Sequence, residues 1–190
     1  MQVLSTAIPD VKLIVPDVFG DDRGYFFESW NLDKYAAENI SCNWVQDNES
    51  RSRYGVLRGL HYQTAPYTQA KLVRVIEGKV LDVAVDIRKN SPTFGKHVAV
   101  ELSGENKHQL FIPRGFAHGF AVLSEIAVFA YKCDNRYMPS HERGIAFDDP
   151  AIGIDWQIDP ASALLSAKDQ QNLLLKDAEV FDFNNQDYLI

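Results

Sequence analysis

Cysteine is scarce in this chain: two residues in 190, Cys42 and Cys133. Their separation fits neither a disulfide framework nor a metal-binding spacing, so both read as packed free thiols. Long apolar runs are missing as well. None approaches the roughly 20 residues needed to cross a bilayer, and residues 1–10 lack the basic start and apolar core of a secretory signal. No membrane partner and a cytoplasmic location are therefore expected. Basic residues are in deficit, 19 Lys and Arg against 26 Asp and Glu, and the net charge of −7 argues against a nucleic-acid partner. A small anionic ligand stays compatible with that total. Charge is screened over about 8 Å at physiological salt, so a local cationic pocket can oppose the global sign. Repeats, low-complexity tracts and linkers are absent too. A single domain over residues 1–190 is expected, with 170–190 as a peripheral C-terminal tail.

Apolar residues make up 46 %, enough for a full core in a chain of this length. Residues 11–15 and 25–29 read as short strands about the turn-like Gly20-Asp21-Asp22-Arg23-Gly24, and 32–39 as a helix capped by Asn31. From residue 45 onward β signals dominate. Segments 71–76 and 79–87 flank Glu77-Gly78, which predicts a hairpin. In the second segment Asp82, Ala84 and Asp86 alternate with Val83, Val85 and Ile87. One buried face is expected there, with Asp82 and Asp86 on an exposed or salt-bridged one. Further strands fit 97–102, 109–112, 119–123 and 127–133, and a short helix fits 161–166. Strands this short and closely spaced predict an antiparallel sandwich or barrel. Arg88, Lys89, Lys96 and Lys107 read as solvated charges, and His97, His108 and His141 as surface residues.

The chemistry concentrates in Arg58-Gly59-Leu60-His61-Tyr62-Gln63, followed by Lys71. An imidazole stands there between two cations, a grouping that calls for an anionic or electron-rich ligand. Its unperturbed pKa of about 6.5 suits proton transfer near neutral pH. In a regular strand Arg58 and His61, three apart, would face opposite sides. A bulge at Gly59 would bring both into one cavity. Downstream, Pro113-Arg114-Gly115-Phe116-Ala117-His118 reads as a turn that delivers His118 to the start of a strand.

That Pro-x-Gly-x-x-His spacing resembles the second motif of the cupin superfamily. The resemblance implies a mainly β fold, a cupin-like antiparallel β-barrel (jelly roll) with a few short peripheral helices. The first cupin motif supplies a His-x-His pair for metal, whereas the matching positions here hold His61-Tyr62-Gln63. Gln63 in place of an imidazole implies a site that works without metal. A sharper resemblance rests on an ordered set: the Arg58–Gln63 stretch, Gln69-Ala-Lys71-Leu-Val-Arg74, Asp82-Val-Ala-Val-Asp86-Ile-Arg88, Ser91-Pro-Thr-Phe-Gly95, Ile112-Pro-Arg-Gly-Phe-Ala-His118, Tyr131-Lys and Leu165-Ser-Ala-Lys168-Asp169. Over about residues 8–169 the chain is similar to the dTDP-4-dehydrorhamnose 3,5-epimerase family. This implies epimerisation at C3 and C5 of dTDP-4-dehydro-6-deoxy-D-glucose through enolates, in dTDP-L-rhamnose synthesis. It also implies no cofactor, and a homodimer in which an N-terminal strand joins the partner's sheet.

The resemblance assigns roles as well. His61 matches the general base, Asp169 the carboxylate that holds its imidazole, Lys71 the stabiliser of the enolate oxygen and Tyr131 the acid on the opposite face. Arg23 and Arg58 suit the diphosphate, Tyr137 matches the residue that stacks on thymine, and His118 a substrate contact. Glu28, Gln46, Asp47, Asn48, Glu142 and Lys168 match further substrate-binding positions. One departure is Phe147, where many relatives carry Trp. The competing readings are a single-centre epimerase or ketoisomerase on a related dTDP-4-keto sugar, a metal-dependent cupin, and a non-catalytic nucleotide-sugar binder.

Overall fold

The computed structural model describes residues 1–189. Two antiparallel sheets face each other across an apolar core. The larger runs in the order Gln2–Ser5, Lys12–Val15, Gln109–Ile112, Lys71–Glu77, Ile126–Cys133 and Gln46–Arg53. The smaller runs His97–Ser103, Lys79–Asp86, Phe116–Val122, Leu57–Gln63 and Glu142–Gly144. The mainly β expectation holds, and the two sheets form the layers of a cupin-like sandwich. Among the described residues no strand pairing joins one sheet to the other.

Alternation along each strand fills the space between the sheets. Val73, Val75 and Phe129 come from the larger sheet, and Val80, Ala84, Phe120 and Val122 from the smaller. Phe120 and Phe129 stack across the gap, with centroids 4.2 Å apart. The opposite face of the smaller sheet is covered as well. Leu57, Leu60, Val83, Val85 and Ala117 pack there against Ile145, Trp156, Leu175, Phe181 and Tyr188. The segment expected to be a peripheral tail thus inserts Leu175, Phe181 and Tyr188 into this second core, all three buried.

Double-sided burial decides one sequence expectation, in favour of the salt-bridged face for Asp82 and Asp86, and corrects another. Asp82 and Asp86 are not exposed; every residue from Val80 to Asp86 is buried. Asp82 is hydrogen-bonded to His118. Asp86 takes two bonds from the Arg88 guanidinium at 2.9 and 2.8 Å, plus the hydroxyls of Ser91 and Thr93. Arg88 is not a solvated charge either. It is 4 % exposed, also pairs with Asp10 at 2.7 Å, and lies over the rings of Phe116, Phe183 and Tyr188. A buried guanidinium is tolerable because two carboxylates and three ring faces replace its water.

The helix spans Leu32–Ala37, with the Asn31 side chain accepting from the Lys34 amide at 3.1 Å. Six residues are too few for a helix to persist alone. Buried Tyr35, packed on Trp30 with centroids 4.4 Å apart, fastens it. Near Pro160 the helical element is a single 3-10 turn, Pro160–Ser162, shorter than expected.

The predicted hairpin at Glu77-Gly78 is not one. Lys71–Glu77 and Lys79–Asp86 belong to different sheets, and the link is a corner between layers. Val75 and Val80 on its two sides feed the same core from opposite walls, so pairing the strands to each other would strip that core of one wall. The corner needs glycine. Gly78 has φ +77°, and an added Cβ would lie 1.9 Å from the Ile126 carbonyl oxygen. Gly78→Ala is expected to cost about 1–3 kcal/mol in denaturant unfolding, with an unchanged m-value. Wild-type stability in that variant would show that the corner relaxes freely.

Candidate active site

Pairing between Phe116–Val122 and Leu57–Gln63 slips at one point. His118 stands opposite His61 and Phe120 opposite Arg58, so one residue on the first strand faces two on the second. This is a bulge at Gly59-Leu60, as the sequence suggested. Gly59 has φ +127°, and a Cβ there would meet Gly119 Cα at 2.5 Å. Only a glycine lets the two backbones pass this closely. Leu60 then turns into the second core while Arg58 and His61 line one cleft between the sheets.

The cleft has two lobes of about 310 and 240 Å³ that share Asn48, His61, Lys71 and Tyr131. The first adds Gln46, Gln63, Tyr137 and Glu142. The second adds Arg58, His118, Phe120 and Phe129. His61 Nε2 forms a short hydrogen bond to Asp169 Oδ1. The second carboxylate oxygen of Asp169 accepts from Ser166 Oγ at 2.7 Å. Asp169 is 5 % exposed. Burial works to raise its pKa, but the bonds from His61 and Ser166 outweigh burial and hold the carboxyl below its ordinary value. It reaches His61 because backbone bridges from Leu164 to residues 55–57 and from Leu173 to Ala146 run its segment beside the His61 strand.

Lys71 lies across the cleft, its Nζ 5.9 Å from the centroid of the Tyr131 ring. Burial lowers its pKa, with Cys133, Asp82 and Glu142 acting in the opposite sense. Burial and the neighbouring Cys133 raise the Tyr131 phenol, which is therefore firmly protonated at neutral pH. His118, 6 % exposed, bonds through Nε2 to Asp82 Oδ2 at 2.9 Å. Burial pushes this imidazole towards its neutral form against the pull of Asp82. The other oxygen of Asp82 has no hydrogen-bond partner among the described residues.

At the open end, Glu142 accepts short hydrogen bonds from the Tyr137 phenol and the Lys168 ammonium. Burial would raise its pKa, but those two partners lower it on balance. Tyr137 is half exposed. Among the described residues the Arg58 guanidinium hydrogen-bonds only to Ser52 Oγ, at 3.2 and 3.3 Å, which leaves its remaining N–H groups for a ligand.

Three expected residues lie elsewhere in this chain. Asp47 alternates away from Gln46 and Asn48 and pairs with Lys132 at 3.0 Å on the outer face of the larger sheet. Arg23 sits at the tip of the hairpin formed by Phe19–Asp21 and Gly24–Phe26, its side chain 90 % exposed. Glu28 pairs with Lys34. Conversely, Gln69 and Cys133 line the cleft and were missed. Alternation from Lys71 and Tyr131, two residues away in each case, was the signal available for both. Asp82, expected on an exposed or salt-bridged face, shares with Val80 and Ala84 the face turned to the larger sheet and meets His118 there; the valine face is the one covered by the second core.

A base with a carboxylate behind it, a phenol acid and a buried ammonium, all on one cleft, can remove and return a proton at a carbon beside a carbonyl. The comparisons agree with that chemistry. Residues 5–177 match the family profile described as dTDP-4-dehydrorhamnose 3,5-epimerase. The chain is 56 % identical to the dTDP-4-dehydrorhamnose 3,5-epimerase of Salmonella typhimurium, over 94 % of this chain and 97 % of that one. Its fold is similar to the crystal structure of dTDP-6-deoxy-D-glucose-3,5-epimerase from Legionella pneumophila in complex with dTDP-4-keto-L-rhamnose, with a TM-score of 0.92, 49 % identity, and 96 % and 98 % of the two chains covered. A 3'-monoepimerase from Streptomyces bikiniensis in complex with dTDP-quinovose is similar at a TM-score of 0.88 and 30 % identity, covering 95 % and 93 %.

The depressed Asp169 carboxyl sets a pH dependence. An unfolded Asp titrates near 3.9. The stability tied to Asp169 is therefore complete above that value and is lost as pH falls through the lower folded pKa. Denaturant unfolding between about pH 6 and pH 3 is expected to show a shallower acid loss for Asp169→Asn than for the wild type. Parallel slopes would mean that the carboxylate contributes nothing to folding.

Proposed function

The chain belongs to the dTDP-4-dehydrorhamnose 3,5-epimerase family, and on that premise we propose how its residues carry the reaction. The chain is an isomerase: it epimerises C3 and C5 of dTDP-4-dehydro-6-deoxy-D-glucose to give dTDP-4-dehydro-L-rhamnose. The 4-keto group acidifies the hydrogens at both carbons. His61 takes the proton, and Asp169 behind it stabilises the imidazolium that forms. The resulting enolate places negative charge on O4, where the Lys71 ammonium balances it. An ammonium weakened by burial gains more from an incoming anion than a solvated one would. Tyr131 returns a proton from the other face, and its raised pKa keeps that proton available. Two such cycles invert both centres; between them His61 gives its proton to solvent, Tyr131 regains one from solvent, and the sugar reorients. The observation that carries this reading is the His61–Asp169 pair, which faces the same cleft as Lys71 and Tyr131.

At the nucleotide end, Tyr137 stacks on thymine, Arg58 takes a phosphate, and Glu142 holds Tyr137 and Lys168 in place. Gln46, Asn48 and His118 supply further polar contacts. Arg23 and Glu28 stand outside their own cleft, beside Phe19 and Phe26, which are 65 % and 69 % exposed. This supports a homodimer whose N-terminal region packs on a second copy. A cytoplasmic setting suits a sugar-nucleotide substrate; among the described residues no helix is long and apolar enough to cross a membrane.

Incubation with the 4-keto sugar nucleotide in deuterated water is expected to label both C3 and C5 by NMR. Label at one carbon alone would move the chain to a single-centre reaction, as in the 3'-monoepimerase. His61→Ala should lose exchange at both carbons by roughly 10²–10⁴-fold while dTDP binding survives. Tyr131→Phe should slow product formation more than proton exchange, and equal slowing of both would remove its role as acid. Sedimentation velocity is expected to give a dimer; a fully active monomer would overturn the dimer reading.

A further inference from the structure

The chemistry assigned so far leaves Gln63 without a role, although it faces the cleft two residues from His61 and is only 4 % exposed. Its amide is fully engaged. Nε2 donates to the Tyr67 carbonyl at 2.6 Å and to the Arg136 carbonyl at 3.0 Å, while Oε1 accepts from the Met138 amide at 2.6 Å. Two of these three bonds bracket Tyr137, one on the residue before it and one on the residue after. We infer that Gln63 is the positioning residue that fixes Tyr137 over the nucleotide end of the cleft; this rests on the reading of Tyr137 as the base-stacking residue.

The chemistry singles out an amide. A neutral imidazole has one donor and a carboxylate has none, so neither can satisfy two carbonyls and an N–H together. The remaining contacts of Tyr137 point the same way. Its own amide donates to Gln46 Oε1 at 3.3 Å, and its phenol donates to Glu142, which stands opposite Gln63 in the neighbouring strand. Other side-chain amides stitch the same two loops together: Gln69 to the Asn135 carbonyl, and Asn135 to the carbonyls of Pro66 and Thr68. Asn135 also accepts from the Arg136 amide at 2.9 Å, but none of these bonds reaches Tyr137 or Met138. A half-exposed ring on an unheld loop would lose conformational freedom when a base stacks on it, and that loss would weaken binding. Gln63 removes the loss in advance. Gln63 occupies the position where the first cupin motif carries its second histidine, and its side chain there is spent on loop geometry.

The test is a double-mutant cycle on the full chain, read by dTDP binding and by steady-state kinetics. Gln63→Met keeps the length of the side chain and removes all three bonds. It is expected to raise the dTDP Kd and the substrate KM about tenfold, with kcat changed less than about threefold. On a Tyr137→Ala background the same change should add less than about twofold, because no ring is left to position. An equal loss on both backgrounds, or a fall in kcat at constant KM, would overturn the inference. If Gln63→Met does not fold, Gln63→Glu carries the same cycle, since it retains the acceptor for Met138 and loses both donors. Wild-type protein that fails to bind dTDP would strike the nucleotide reading itself, a result visible before any variant is made.

Discussion

The inner strands of the smaller sheet are covered on both faces, and most of the molecule follows from that. One side meets the larger sheet through Phe120 and Phe129; the other is sealed by the chain beyond Gly144. Burial on both sides is what brings a carboxylate from residue 169 to a histidine at residue 61. The segment that carries Asp169 is held by Leu164 and Leu173 on backbone bridges, and by Trp156 and Leu175 in the second core. The base and its partner are therefore coupled through packing and not through nearness in sequence. Arg88 acts for the far end of the same segment. Its guanidinium, fixed by Asp86 and Asp10, presents one surface to Phe183 and Tyr188.

Inside that frame a single backbone irregularity selects which side chains see the cleft. Without the slip at Gly59, period-two geometry would send Arg58 and His61 to opposite faces. One of them would then enter the second apolar core, where an uncompensated charge is strongly unfavourable. With the slip, Leu57, Leu60 and Tyr62 fill that core while Arg58, His61 and Gln63 all face the cleft. The bulge thus keeps the strand's apolar and polar residues on separate sides even though their spacing is irregular.

Much of this was legible in the residues, and the gaps have physical causes. The glycine between Arg58 and His61 was readable as a bulge because the alternative was energetically poor. The Asn31 cap and the helix it starts were readable because capping is local. The Glu77-Gly78 corner was not, since two residues between strands suit a hairpin or a passage between layers equally well. Only the later strands decide, by pairing with Lys71–Glu77 on one side and Lys79–Asp86 on the other. Arg88 was misplaced, and Asp82 and Asp86 stayed open between exposure and ion pairing, for a related reason. Alternation separates the valine face of the strand from the aspartate face, but does not show that the aspartates turn towards the larger sheet while a distant segment covers the valines. Asp169 as the partner of His61 came from family resemblance, since a separation of 108 residues carries no local signal.

A net charge of −7 disfavours a doubly charged diphosphate at long range, yet the local arrangement opposes the global sign. Three carboxylates at the cleft are engaged: Asp169 by His61 and Ser166, Glu142 by Lys168 and Tyr137, and one oxygen of Asp82 by His118. The cations are committed less completely. Among the described residues Arg58 hydrogen-bonds only to a hydroxyl, and Lys71 feels Asp82 and Glu142 at a distance. Within a Debye length of about 8 Å an approaching anion therefore meets the Arg58 guanidinium, bonded to that hydroxyl alone among the described residues, and the Lys71 ammonium, while Asp169 and Glu142 face partners of their own. On the proposed mechanism the same arrangement serves the chemistry, because the enolate would form beside the buried ammonium. Lys71 loses solvation when the protein folds, and on that mechanism negative charge appearing beside it would offset the loss at the moment of proton transfer.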